Sequence, residues 1–235
     1  MYSFIITCEH GGNCIPAPYD VLFRDEQALL DSHRGYDAGA LLMAQKLATA
    51  FDGALVTATV SRLLVDLNRS IGHPRLFSTT TRRLLPATRK EILAQYYRPY
   101  REQVEGLVRQ AVSEGKRVIH ISSHSFTPEL NGKVRRADVG LLYHPARDGE
   151  VRLCAHWQAS LAALAPTLRV RRNYPYAGKG DGLTAYLRLR FASSAYIGIE
   201  VEVNQHIVQQ EAARWTELGI MLPDSLRAAC AMAIP

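Results

Sequence analysis

Along the chain, short apolar runs alternate with longer stretches in which apolar residues return every three or four positions. Ser3 to Cys8 (SFIITC) is a β-rich apolar run that stops at Glu9-His10-Gly11-Gly12, after which Pro16 and Pro18 exclude regular structure. This predicts a strand entering a glycine-rich loop. From Asp25 to Phe51 the apolar positions recur at helical spacing with a break near Gly35, which predicts a short helix and then a longer one. ALVTATVSRLLVDLNRS alternates and predicts two strand pieces, Leu55–Val60 and Leu63–Leu67. Glu91 to Glu114 is the clearest helix, terminated by Gly115 and kinked or split by Pro99. RVIHISSHSF and ADVGLLYHP read as buried strands, Val151–Leu164 as a helix, Leu168–Arg172 as a strand, Tyr186–Ser193 as a helix, Tyr196–Asn204 as a strand, and Val208–Glu217 as a final helix. Such alternation predicts an α/β fold with a mostly parallel or mixed central sheet, helices on both faces, and sites at the carboxyl ends of the strands. Ser78–Lys90, rich in Thr and Arg, reads as the mobile loop.

A length of 235 residues suits one domain spanning 1–235, and 47% hydrophobic with 21% charged residues excludes disorder or a fibrous repeat. The N-terminus lacks a basic start and a signal-length apolar run, and no apolar stretch approaches the roughly 18–20 residues of a membrane span, so a cytoplasmic location is expected. Cys8, Cys14, Cys154 and Cys230 have no CxxC spacing and read as reduced thiols. The net charge of +6 admits nucleic acid, a membrane surface or a small anionic substrate. The basic residues are scattered in short groups with no helix-turn-helix, zinc-finger or aromatic RNA-binding pattern beside them. A small-molecule partner is therefore expected rather than nucleic acid or membrane, with the chain a monomer or small homo-oligomer.

Three predicted strand ends carry polar residues into loops: CEHGGN, SSHSF and IEVEVNQ. A catalytic zinc takes about three nitrogen or carboxylate ligands and an open position, and His10 with His124 would bring two imidazoles from separate strands. Gly11 and Gly12 suit a sharp turn or a close substrate approach. The bland reading of each histidine is a polar residue at a strand end; His33 is a weaker site candidate, and His120 belongs on the strand. In IGIEVEVNQ the period of two puts Glu200, Glu202 and Asn204 on one face, where a carboxylate could serve as general base in amide hydrolysis or simply face solvent. Asp66 and Asn68 share a face of VDLNRS, and Arg69 there could grip a substrate carboxylate or form a structural ion pair. There is no GxSxG elbow, phosphate loop or dinucleotide fingerprint.

Taken in order, CEHGGNCIP, HRGYDAGA, SRLLVDLNRS, SSHSFTP, RRADVGLLYHP and IEVEVNQ resemble the successive motifs of the N-formylglutamate amidohydrolase family across residues 5–208. The resemblance implies a zinc-carboxypeptidase-like α/β hydrolase, related to the succinylglutamate desuccinylases, that splits an N-acyl group from an amino acid with one zinc ion. By position, His10 and His124 resemble the family's ligand histidines, Glu202 the catalytic base, and Arg69 with Asn68 the substrate-carboxylate site; Arg135 in RRADVG is a further substrate-binding candidate. The related HxxE pattern fails here because position 13 is Asn, so Asp37 is the expected third ligand, with Glu9, Glu200 and Asn13 as alternatives. N-formyl-L-glutamate or a related acidic N-acyl amino acid is the expected substrate. The rival expectations are an inactive small-molecule-binding protein of the same fold and a basic nucleic-acid-binding domain.

Overall fold

The structure is a computed structural model that describes residues 1–233. Its strands are β1 (Tyr2–Cys8), β2 (Ala54–Thr57), β3 (Arg117–Phe126), β4 (Glu129–Leu130), β5 (Lys133–Val134), β6 (Val139–Leu142), β7 (Val170–Arg172) and β8 (Tyr196–Asn204). The helices are α1 (Gln27–Leu30), α2 (Ala40–Phe51), α3 (Pro86–Ile92), α4 (Arg98–Ser113), α5 (Asp148–Leu164), α6 (Leu183–Arg188), α7 (Gln205–Gln210) and α8 (Ala212–Ala233). Six strands form one mixed sheet in the order β2-β1-β3-β8-β6-β7, while β4 and β5 make a separate hairpin. The first four are mutually parallel; β6 runs antiparallel to β8, and β7 follows β6 in parallel.

The alternation of side chains along the strands builds two hydrophobic cores, one on each face of the sheet. Ile197, Ile199, Val201 and Val203 of β8 and Ile119 and Ile121 of β3 bury beneath α2, α5 and α8. Each such aliphatic side chain contributes roughly 1.5–3 kcal/mol on burial. Ile5, Val56, Val118 and Tyr196 point the other way, toward α4 and α6. On that second face β3 presents His120, Ser122 and His124, and β8 presents Glu200 and Glu202. The parallel register then sets Ser122 beside Glu200 and His124 beside Glu202.

Several sequence expectations change. Leu63–Leu67 is not a strand: Ser61–Leu64 closes a turn through Leu64 N–H to Ser61 C=O (2.9 Å), and Asp66 N–H donates to Leu76 C=O (2.8 Å). Its leucines and Val65 are buried, so the apolar run reflects the core rather than strand periodicity. The last helix does not end near Glu217 but continues to Ala233 through Pro223, and α6 starts three residues earlier than expected. The split at Pro99 is real: a wide turn at Leu93–Tyr97 separates α3 from α4, where the missing proline N–H would have left a carbonyl unpaired. Ser78–Lys90 is a structured wall, its turn tied by Thr81 Oγ1 to Leu63 C=O (3.3 Å) and by Thr80 Oγ1 to Glu26 (3.1 Å). Among the described residues no helix is long and apolar enough to cross a membrane.

Candidate active site

The carboxyl ends of β1, β3 and β8 open on a cavity of about 760 Å³ whose lining includes His10, Asp37, Asn68, Arg69, His124 and Glu202. All six come from the motifs singled out in the sequence. His10 lies just beyond β1, and Asp37 is brought to it by a backbone bond from Asp37 N–H to His10 C=O (2.9 Å). His124 Nδ1 is 2.8 Å and His10 Nδ1 3.3 Å from the same Asp37 oxygen, Oδ2. One ligand atom from each of His10, Asp37 and His124 lies within 4.8 Å of the others, and all three residues are buried. Two imidazoles and a carboxylate are a donor set of the kind that holds catalytic zinc.

The far nitrogen of each histidine is also occupied by a carboxylate. His10 Nε2 is 2.7 Å from Asp66 Oδ1, and His124 Nε2 is 2.9 Å from Glu9 Oε2. Ser122 Oγ donates to Glu9 Oε2 (2.6 Å) and Tyr100 OH to Glu9 Oε1 (2.9 Å), which fixes a fully buried carboxylate in place. The register explains the contact: Thr7 pairs with Ser122, so the next residue on that face of β1, Glu9, falls beside His124. Both imidazoles thus turn Nδ1 toward Asp37, the arrangement in which an outer carboxylate sets the tautomer of a metal-binding histidine.

Arg62 completes the frame by donating from Nη1 to Asp37 Oδ1 (3.2 Å) and from Nη2 to Asp66 Oδ2 (2.9 Å). Burial works to raise the Asp37, Asp66 and Glu9 carboxyls, yet their hydrogen-bonding and charged partners hold all three well below the usual range: His10, His124 and Arg62 at Asp37, Arg62 and His10 at Asp66, His124 at Glu9. Burial opposes protonation of His124, but the Asp37 and Glu9 contacts raise its pKa well above the ordinary value.

Glu202 is the exception among the acids. It is 5% exposed, and its Oε2 is buried with no hydrogen-bond partner among the described residues. Burial, aided by the negative charges of Asp37 and Glu200, lifts its pKa to about 8. An orphaned carboxyl beside a three-donor cluster fits a site built to face a cation and a reacting water. Glu200 accepts instead from Thr184 Oγ1 (2.5 Å). Arg69 forms no ion pair with a described residue; its Nη1 donates to the carbonyls of Asn68 (3.0 Å) and Asp181 (2.8 Å), leaving other donors for the cavity. Asn68 is oriented by Leu183 N–H donating to its Oδ1 (2.6 Å).

Of the four candidates for third ligand, Asp37 is the one in the cluster. Glu9 sits behind His124, Glu200 lies on Thr184, and the half-buried Asn13 donates to Asp31 Oδ1 (2.8 Å), away from the site. Arg135 does not line the cavity; it donates to Tyr176 OH (3.0 Å), which does. Gly11 and Gly12 serve packing rather than substrate approach, since a Cβ on either would lie within 3.0 Å of the Ala58 or Thr59 carbonyl. The sequence reading did not identify Arg62, Asp66 or Tyr176 as site residues.

The sequence profile of the N-formylglutamate amidohydrolase family matches residues 2–208. No curated protein matches the chain. Among solved structures it is similar to the gene product Atu2144 from Agrobacterium tumefaciens, at 27% identity and a TM-score of 0.84, covering 98% of this chain and 91% of that one. It shares its fold with the N-formylglutamate amidohydrolase from Ralstonia eutropha JMP134, at 19% identity and a TM-score of 0.70, covering 96% and 92%. With the profile extending over most of its length, the chain belongs to the N-formylglutamate amidohydrolase family.

Proposed function

We propose that this protein is a zinc-dependent hydrolase of the amide bond in an acidic N-acyl amino acid, N-formyl-L-glutamate or a relative of it. The observation that carries the reading is the paired histidine arrangement, each Nε2 held by a carboxylate and each Nδ1 aimed at Asp37, beside the unpartnered Glu202. His10, His124 and Asp37 would hold the metal, which when bound supplies Lewis acidity toward the acyl carbonyl and the attacking water. Glu202 takes a proton from that water as its oxygen bonds to the acyl carbon, and delivers it to the amine nitrogen as the carbon–nitrogen bond breaks. The products are the free acid and the amino acid. A carboxyl lifted toward neutral pH suits both transfers, and a cation at the cluster draws it back down. Arg69 holds the amino acid's carboxylate with the donors its backbone contacts leave free. Arg62 is already committed to Asp37 and Asp66. Asn13, which breaks the HxxE pattern, lies outside the cluster of His10, Asp37 and His124 and bonds to Asp31 instead.

The test is metal analysis with one variant. Protein purified without chelators carries about one zinc per chain, and Glu202→Gln keeps metal and melting temperature while kcat falls about 10²–10⁴-fold. Full turnover by metal-stripped protein, or a wild-type rate from Glu202→Gln, would overturn the reading.

A further inference from the structure

Beside the cavity that holds the cluster lies a second hollow of about 400 Å³. The two share Asp37, Arg62, Pro74, Arg75, Ser125, Leu130 and Tyr176 on their common wall, whereas His10, His124, Arg69 and Glu202 line the first alone and Arg34, Phe77, Arg82 and Phe126 the second. The second has apolar surface from Phe77, Phe126 and Leu130, and cationic surface from Arg34, Arg75 and Arg82. The guanidinium groups of these three arginines make no ion pair or hydrogen bond with any described residue, so the hollow holds positive charge that the protein does not neutralise. His33, on the same wall, senses that field: burial first, then Arg34, Arg62 and Arg135, lowers its pKa.

Position decides what such a hollow is for. Asp37 belongs both to the three-donor cluster and to the common wall, so an amide carbonyl at the cluster sits where the two spaces meet. With the amino acid's carboxylate on Arg69, in the first cavity, the acyl group leads toward the second. A formyl group ends at the junction. It would leave unused a space within the size range of small-ligand pockets, which span roughly 300–1,000 Å³.

We infer that this annex receives an acyl chain of several carbons ending in a carboxylate, so that the substrates are ω-carboxyacyl amino acids, with Phe77, Phe126 and Leu130 along the chain and Arg34 and Arg82 at its anionic end. The inference rests on the hydrolase reading above. It assigns Arg34 and Arg82 a part in specificity and none in bond cleavage.

The test compares N-formyl-, N-pentanoyl- and N-glutaryl-L-glutamate on the zinc-loaded full chain, the last two differing in the terminal carboxylate. Wild type prefers glutaryl over pentanoyl by about tenfold in kcat/KM, mainly through KM, the scale expected of two part-exposed charge pairs. In the double variant Arg34→Gln, Arg82→Gln that preference disappears, while far-ultraviolet circular dichroism and zinc content match wild type. Hydrolysis of the formyl compound with no gain from the terminal carboxylate, or a preference that survives the double variant, overturns the annex and leaves the hydrolase reading standing. Zinc-loaded protein that cleaves none of the three overturns the hydrolase reading and this inference with it.

Discussion

Glu9 and Asp66 are the acids whose work is least visible in the sequence. Neither belongs to the three-donor cluster, yet each sits on the Nε2 side of one histidine and so determines which nitrogen faces Asp37. Removing such a partner typically lowers metal affinity about 10–100-fold. Glu9→Gln and Asp66→Asn should each weaken zinc binding on that scale in competition with a chromophoric chelator, while saturating zinc restores most of the turnover. Unchanged affinity in both would reduce these carboxylates to packing. The histidines, Asp37 and Glu202 were legible because they stand at strand ends or within motifs. Arg62 and Asp66 were not, because the buried segment between Ser61 and Ser70 has no regular period: its leucines fix it against the core, and only then do its polar groups meet Asp37 and His10.

At the scale of elements, the antiparallel attachment of β6 to β8 brings a loop to the site. Gly140 pairs with Glu202, and a Cβ at position 140 would stand 1.9 Å from the Tyr174 carbonyl oxygen. The segment from Tyr174 to Asp181, which supplies Tyr176 and Asp181 to the cavity, therefore lies flat on β6 because glycine is there. Gly140→Ala must displace backbone, at a cost of about 1–3 kcal/mol as for other overpacked sites. Urea melts should show that loss and kinetics a raised KM, since the displaced loop includes the Asp181 carbonyl that braces Arg69. Stability equal to wild type would contradict the close approach. The strands with clear alternation, β1, β3 and β8, were predicted nearly to the residue. The missed extension of α8 past Glu217 has a plain cause: Pro223 and the apolar LRAACAMA stretch obscure helical periodicity, while burial of Leu222, Leu226 and Ala229 against α5 and the sheet carries the helix onward.

Across the whole molecule, a buried polar chain runs away from the site along one face of the sheet. His120, with no exposure, bonds to Thr7 Oγ1 (2.8 Å) and to Tyr196 OH (2.6 Å), one strand to either side. Burial, the largest influence, lowers its pKa from the ordinary 6.5 to about 4. The unfolded chain therefore takes up a proton below about pH 6.5 that the folded chain refuses until about pH 4. The stability that His120 contributes is full above that window and falls as pH drops through it, by about 3 kcal/mol in total. His124 does not offset this: its pKa is raised, so its contribution is already in place below the unfolded value. The carboxyls of Asp37, Asp66 and Glu9, held below the usual range, lose their stabilisation only at more acid pH. Glu202, with its pKa raised to about 8, works in the opposite direction over part of this range, so the His120 contribution is read as a difference: in urea unfolding of metal-free protein between pH 7.5 and 4, wild type should lose stability relative to His120→Gln as pH falls. An equal slope in the two proteins would mean that His120 takes up its proton in the folded state and that this buried chain is not what limits the fold in acid.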